Sequence, residues 1–325
     1  MTRQTVAKVG GLTIVIALGA AVALVIAGWP RPVSQPRSPG TLPPVSAPSG
    51  TLRFINFGDW GNSPGVDDAV YRQLERTYAA KPFTDIVTNG DNNYGSTASF
   101  PAYVRGSLGA LQAAGVRLHF SLGNHDVDSE DKWKAQVGNP AWGEWDCAQC
   151  RTTRPKSSRS RYYSFYRAPV RFILLDSNTL VTGDLEQMAW ATQEITASAR
   201  ASEPWQVLVF HHPPFSAANT HGAVKALADQ LAPVLATLGV DVVFTGHDHT
   251  YERIKTTPDC GRGVQYVVSG AMKLRRDDIK QPNDCTAAYW DDSQAFVLVE
   301  ATARRFSAQV ISADGTVVDT WDLKR

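Results

Sequence analysis

The stretch 240–253, VDVVFTGHDHTYER, decides how the chain is read. Its first half is a β-branched and aromatic run of strand length that stops at Gly246, after which two histidines flank an aspartate. Four other places repeat this arrangement of an apolar run ending in polar residues of metal-binding type. They are 58–61 (GDWG) after the run 52–57, 90–94 (GDNNY) after 86–88, 123–126 (GNHD) after 116–122, and 210–215 (FHHPPF) after 207–210. In four of the five a glycine precedes the polar residue, as expected where the backbone must turn sharply without a Cβ. Open α/β sheets present their crevice outside the carboxyl ends of their strands, so five such ends are expected to make one site.

Working outward, segments of helical length at 67–80, 100–114, 184–201 and 223–238 separate the runs, and a further apolar run lies at 170–175. Crossovers of that length predict a largely parallel sheet. The tail has runs at 264–269, 295–300, 307–311 and 316–321 with short connections, which predicts an antiparallel second part. With 43% hydrophobic and 19% charged residues among 325, the chain has enough apolar material for a substantial core and is neither disordered nor fibrous. The 32 Lys and Arg against 31 Asp and Glu give a formal charge of +1, which argues against a globally basic nucleic-acid binder. The first 50 residues hold Arg3, Lys8, Arg31 and Arg37 and no acid, so residues 51–325 carry 28 basic against 31 acidic groups and are mildly acidic.

That basic N-terminus has its own pattern. Residues 9–29 run without a charge behind Arg3 and Lys8, close to the roughly 20 residues needed to span a hydrocarbon core. A signal peptide and an uncleaved transmembrane anchor both fit 1–29. Residues 30–50 hold seven of the nineteen prolines and read as an extended linker ahead of the domain at 51–325. The expectation is an exported protein, either secreted or membrane-anchored with its domain outside the cytoplasm.

Six of the seven histidines lie at or just after the five strand ends, while His119 sits inside an apolar run and reads as a satisfied core histidine. Carboxylate and phenolate oxygens suit a hard, highly charged metal, and neutral imidazole and amide groups suit a divalent one. The set offers both. Two metals roughly 3.5–4 Å apart would clamp the attacking and leaving oxygens of a phosphate ester and lower the pKa of a bound water. Neither a Gly-X-Ser-X-Gly elbow nor a P-loop appears in the sequence.

The order Asp59 (GDWG), Asp91 with Tyr94 (GDNNY), Asn124-His125 (GNHD), His211 (FHHPPF) and His247 with His249 (GHDHTYER) resembles the calcineurin-like metallophosphoesterases. More closely it resembles purple acid phosphatases of the tartrate-resistant, single-domain kind. Tyr94 stands three residues after Asp91, and Gly61 stands where other members of the superfamily place a metal-binding histidine. The resemblance spans nearly all of 51–325, the catalytic domain, and implies a four-layer αββα sandwich of two mixed sheets.

It further implies a ferric site, Fe(3+), of Asp59, Asp91, Tyr94 and His249, and a divalent site, Fe(2+), Zn(2+) or Mn(2+), of Asn124, His211 and His247, with Asp91 bridging. His211 rather than His212 is the ligand it implies. His125 resembles the residue that binds substrate and protonates the leaving group, with Asp126 orienting it. His221 resembles a second phosphate-binding histidine, although its spacing from His211 is one residue longer than the family pattern. The implied activity is hydrolysis of phosphate monoesters by a metal-bound hydroxide, on a small phosphorylated substrate, by a monomer with no obligate nucleic-acid partner. A phosphodiesterase or nucleotide-processing hydrolase on the same centre is the nearest alternative, and a tethered phosphate-polymer binding protein without turnover is a rival of another class.

Three weaker features remain. Four cysteines allow three connectivities, of which Cys147–Cys150 with Cys260–Cys285 is the expected pairing in an oxidising compartment. The basic run 151–161 reads as a solvated loop. Trp133, Trp142 and Trp145 form either a substrate rim or a satellite core under a long loop.

Overall fold

A computed structural model describes residues 42–44, 49–61, 68–137, 153, 155, 161–273 and 282–325. These belong to one unit, Arg37–Arg325. Segment 1–29, most of the linker, Trp142, Trp145, Cys147, Cys150 and nearly all of 151–160 lie outside the described residues. Among the described residues no helix is long and apolar enough to cross a membrane.

The elements in chain order are β1 (Leu52–Phe57), α1 (Asp68–Ala80), β2 (Asp85–Thr88), α2 (Phe100–Ala113), β3 (Arg117–Phe120), α3 (Glu130–Lys134), β4 (Tyr163–Arg167) and β5 (Val170–Leu174). There follow α4 (Ser177–Leu180), α5 (Leu185–Arg200), β6 (Trp205–Val209), α6 (Lys225–Gln230), α7 (Ala232–Leu238), β7 (Val242–Thr245), β8 (Tyr251–Ile254) and β9 (Gln265–Ser269). The chain closes with β10 (Thr286–Trp290), β11 (Ala295–Ala301), β12 (Arg305–Ser312) and β13 (Val317–Lys324).

Two mixed sheets result, ordered β13-β12-β11-β1-β2-β3 and β10-β8-β9-β7-β6-β5-β4. Strands β1, β2 and β3 are parallel in the first sheet, as are β5, β6, β7 and β9 in the second. The alternation of strand side chains explains the layering. Phe54 of β1 meets Phe172 of β5 at 4.9 Å and Phe244 of β7 at 6.4 Å between the sheets. On the far face of the second sheet, Ile173, Leu208 and Val243 pack with Ile195 of α5 and Leu235 of α7 in a separate apolar layer. Helices thus cover the sandwich, which is the four-layer arrangement expected.

Some sequence expectations needed correction. The tail is not a second part: β9 joins the second sheet parallel to β7, while β11 pairs antiparallel with β1 and carries β12 and β13 into the first. The helix expected over 223–238 divides at Leu231 into α6 and α7, because Pro233 has no N–H to continue the ladder. Strands β4, β8 and β10 had no clear apolar run. β10 is a half-exposed edge with the sequence TAAYW. Cys260 and Cys285 form a disulfide with Cα atoms 5.4 Å apart, which ties the β8–β9 connection to the start of β10.

Candidate metal centre

The parallel strands of both sheets end at one place. The turns after β1, β2, β3, β6 and β7 carry Asp59, Asp91, Asn124, His211 and His247 there, and His249 follows before β8. Asp59 (φ 58), Asp91 (φ 51) and His247 (φ 71) lie in the left-handed region, which costs an ordinary side chain roughly 1–2 kcal/mol. Close packing explains the glycines beside them. A Cβ on Gly246 would stand 2.5 Å from Asp59 Oδ2, and one on Gly123 would overlap Asp91.

One oxygen of each buried carboxylate is held by a backbone amide. His247 N–H donates to Asp59 Oδ2 (2.9 Å), and His125 N–H donates to Asp91 Oδ1 (3.0 Å). The Tyr94 hydroxyl reaches Asp59 Oδ1 at 3.4 Å, and His249 Nε2 lies 3.6 Å from the same oxygen. Asp91 faces both groups of residues: the Tyr94 phenol is hydrogen-bonded to it, and His211 Nε2 lies 3.5 Å from its Oδ1. Atoms from Asp59, Asp91 and His211 converge within 4.8 Å of one another.

The surroundings of His211 are most informative about a cation. Its Nδ1 lies 2.9 Å from the carbonyl of Asn89, which only accepts, so Nδ1 carries the proton and Nε2 of the neutral ring is a lone pair. Facing that lone pair are Asn124 Oδ1 at 3.0 Å, His247 Nδ1 at 3.2 Å and the Asp91 carboxylate. Asn124 Oδ1 and the Asp91 carboxylate are acceptors turned toward an acceptor, which fits a cation between them, so the residues present suit a metal. Charge agrees. Burial and then the neighbouring histidines push the His247 imidazole down, as burial and then His211 push His212 down to about 3, so both rings are neutral near pH 7. Burial, followed by the charge of Asp91, holds the Asp59 carboxyl well above the usual range. Burial, then Asp59 and Asp91, likewise push the Tyr94 phenol up. For Asp91 burial is outweighed by its donors, the His125 amide and the Tyr94 hydroxyl, and its carboxyl is held down.

His212 turns aside, with Nδ1 2.8 Å from Ser177 Oγ at the start of α4. His125 is half-exposed on the rim, its Nε2 3.9 Å from Asp91 Oδ2 and its ring 4.5 Å from that of Tyr94. His221 is exposed on the rim, 4.3 Å from the His247 ring and 5.9 Å from that of His249. Asp126 differs from expectation. Its carboxylate is fully buried and accepts from the amides of Asn92 (3.0 Å), Asn93 (3.0 Å) and Gly123 (2.8 Å), from Asn92 Nδ2 (3.1 Å) and from Gln136 Nε2 (3.0 Å). It clamps the turn after β2 to the turn after β3 instead of orienting the His125 ring. Burial and Asp91 push this carboxyl up to about 7, yet every partner donates, so only the ionised form satisfies them all.

Sequence reasoning missed a sixth strand end. Gly270 follows β9, and a Cβ there would stand 2.6 Å from Asp59 Oδ2; three residues on, the Lys273 ammonium lies 3.0 Å from the centroid of the Tyr94 ring. The glycine after the run 264–269 was the available signal. His119 is a core residue, fully buried with Nε2 2.9 Å from Asp85. Trp133 is buried in the main core and not on a rim.

Residues 52–251 match the calcineurin-like phosphoesterase family. The chain belongs to that family. Among curated relatives, tartrate-resistant acid phosphatase type 5 of Rattus norvegicus is 25% identical over 312 residues, covering 83% of this chain and 89% of that one. Purple acid phosphatase 21 of Arabidopsis thaliana is 32% identical over 217 residues, covering 66% of this chain and 46% of its own. Among solved structures, the purple acid phosphatase PPD1 of yellow lupin matches with a TM-score of 0.68 at 18% identity, over 86% of this chain and 54% of that one. GAP50, the anchor in the inner membrane complex of Plasmodium, matches with a TM-score of 0.65 at 18% identity, over 85% and 89%. The likeness to these two structures is one of fold, and a calcineurin-like fold does not by itself fix an activity. The sequence homology of this calcineurin-like protein runs to the tartrate-resistant and purple acid phosphatases, a family that implies a dinuclear metal centre.

Proposed function

We propose that this protein is a metal-dependent hydrolase of phosphate monoesters, of the purple acid phosphatase kind. The observation that carries the reading is the amide and carboxylate oxygens of Asn124 and Asp91 turned toward the lone pair of His211 Nε2, in a chain whose relatives are acid phosphatases. Asp59, Tyr94 and His249 with Asp91 would hold a ferric ion, because three of the four donors are anionic when Tyr94 is a phenolate. Asn124, His211 and His247, neutral donors, would share Asp91 with a divalent ion, Fe(2+), Zn(2+) or Mn(2+). When bound, the pair supplies Lewis-acid charge that offsets the phosphoryl oxygens and lowers the pKa of a water.

The chain's own groups do the rest. His125 is half-exposed at the mouth and stands where it can bind the ester and pass a proton to the leaving oxygen. His221, on the rim beside His247 and His249, is a second donor to phosphate oxygens. The protein acts as an exported monomer, with 1–29 as signal or anchor, 30–50 as linker and 51–325 as catalytic domain. Sequencing the mature N-terminus and high-salt extraction of membranes separate the two forms of export.

Metal analysis, a visible spectrum and rates on a monoester against a diester test the function. Two metals per chain, monoester preference and a visible band that is lost in Tyr94→Phe while iron is retained are expected. A colourless wild type with stoichiometric iron would overturn the ferric–tyrosinate assignment, and diester preference would move the protein to the phosphodiesterases.

A further inference from the structure

Glu252 of β8 is fully buried and has no part in the chemistry proposed above. Its Oε2 accepts from the Ala217 N–H at 2.7 Å and its Oε1 from the Thr286 hydroxyl, at the start of β10, at 2.6 Å; the Ser216 hydroxyl donates to the same carboxylate. Each of these donors is neutral. A carboxylate buried on neutral donors costs free energy that an apolar side chain of similar volume would not, so filling the core does not account for it. What a carboxylate supplies is direction, since its oxygens hold their donors at fixed places.

Two of those donors belong to the rim of the site. Ser216 and Ala217 lie in the loop between β6 and α6 that starts at His211-His212 and carries His221. Val224 N–H closes the base of this loop on Pro213 O (2.7 Å), and Gly222 N–H donates to Asp248 Oδ1 (2.9 Å) just past His221. Glu252 holds the loop just ahead of it. Between the two held amides run only residues 218–221, with His221 exposed and its ring 4.3 Å from that of His247. An exposed imidazole on so short a span takes its place from the anchors on either side. We propose that Glu252 is a positioning residue for His221: by holding Ala217 against β8 it sets the imidazole where it meets a phosphate oxygen. Asp248, the other anchor, stands between His247 and His249, so Glu252 is the one through which the loop can be tested without touching the metal donors. The inference rests on the phosphate-binding role given to His221 above.

The test titrates inorganic phosphate by calorimetry into the full chain, each variant loaded to the same metal content. His221→Ala is expected to weaken phosphate about tenfold, the worth of one charge-assisted contact, and Glu252→Met by about five- to tenfold. Glu252→Gln keeps an acceptor for Ala217 N–H and offers an NH2 to the Thr286 oxygen, so it is expected to restore the affinity. In the His221→Ala background Glu252→Met should cost nothing more, because a residue that acts only through His221 has nothing left to place. If Glu252→Met does not fold, Thr286→Val, which frees Oε1 of the carboxylate, takes its place in the cycle with an expected loss of about threefold. Phosphate affinity unchanged in Glu252→Met, a loss that glutamine does not restore, or an equal loss in the two backgrounds would overturn the positioning. If His221→Ala leaves phosphate affinity as it was, the role of His221 fails and the positioning with it. A chain that hydrolyses no ester but follows the expected affinities would remove the phosphatase reading and leave the positioning standing.

Discussion

Replacing Asp126 with asparagine distinguishes two roles for that residue. The sequence pairs it with His125, its neighbour in GNHD, whereas the structure gives its two oxygens to five N–H groups on the turns after β2 and β3 and on Gln136. In Asp126→Asn one oxygen becomes an NH2 that faces donors whichever way the amide is turned. On the Oδ2 side these are Gly123 N–H and Asn92 Nδ2; on the Oδ1 side they are Asn93 N–H and Gln136 Nε2. Asn92 Nδ2 keeps Ser121 O and Gln136 Oε1 as acceptors, but at least one other buried donor loses its acceptor and the new NH2 gains none, at about 1–3 kcal/mol each, for a net loss of roughly 3 kcal/mol. For a domain of this size that is about 5 °C in Tm.

The assay is thermal and guanidinium unfolding at pH 8 with a chelator present, so that bound metal does not enter and the medium lies above the value of about 7 to which Asp126 is pushed. His125→Ala, a change at a half-exposed side chain, is the control and is expected to shift stability by about 0.5 kcal/mol or less. Wild-type stability in Asp126→Asn, together with slowed turnover confined to esters with poor leaving groups, would refute the clamp and restore the role read from sequence.

Three further outcomes are expected. His125→Ala should slow alkyl phosphates by about 10²–10⁴-fold and activated aryl phosphates by much less, and equal losses on the two would remove it as the proton donor. Asp85, buried between Arg117, His119 and Arg167, has its carboxyl held below the usual range by those partners despite burial, so its stabilisation is present above pH 4 and lost as pH falls below that. Asp85→Asn should cost about 3–5 kcal/mol at pH 7 and flatten the acid limb of a stability–pH curve, and an unchanged limb would sink the assignment. Gly246→Ala places a methyl 2.5 Å from Asp59 Oδ2, so metal per chain should fall by about one ion at low metal concentration, and full occupancy would show that the loop gives way.

What could be seen in the sequence was whatever depends on one strand and the turn after it. Gly-Asp, Gly-Asn-His and Gly-His-Asp-His each announce a sharp turn and a donor at once, so the ends of β1, β2, β3 and β7 were legible without knowing how the strands are ordered. The role of Asp126 was not legible, because it depends on how the chain turns after β3. There Asn124–Asp126 forms a single 3-10 turn that sends His125 outward and Asp126 inward. Lys273 escaped notice because its strand sits in the tail and looked antiparallel. Only pairing of β9 alongside β7 brings Gly270 and the lysine behind it to the same edge as the other five ends.

The two ends of these strands carry opposite solutions to burying charge. At the start of β2, Asp85 is fully buried and matched by His119 and two arginines, Arg117 from the first sheet and Arg167 from the second, a closed network that stabilises without any ligand. At the other end, Asp59 and Asp91 are buried with histidines that burial and mutual repulsion keep neutral, and three residues hold left-handed backbone. A cation there would lower the Asp59 carboxyl and leave the imidazoles neutral, reversing the first shift and preserving the second, which is the signature of a metal-binding donor set. The strain and the desolvation are therefore local to the site. The matched network at the opposite end of the strands, together with the Phe54, Phe172 and Phe244 contacts between the sheets, is what holds the fold while the donors wait in an unfavourable arrangement.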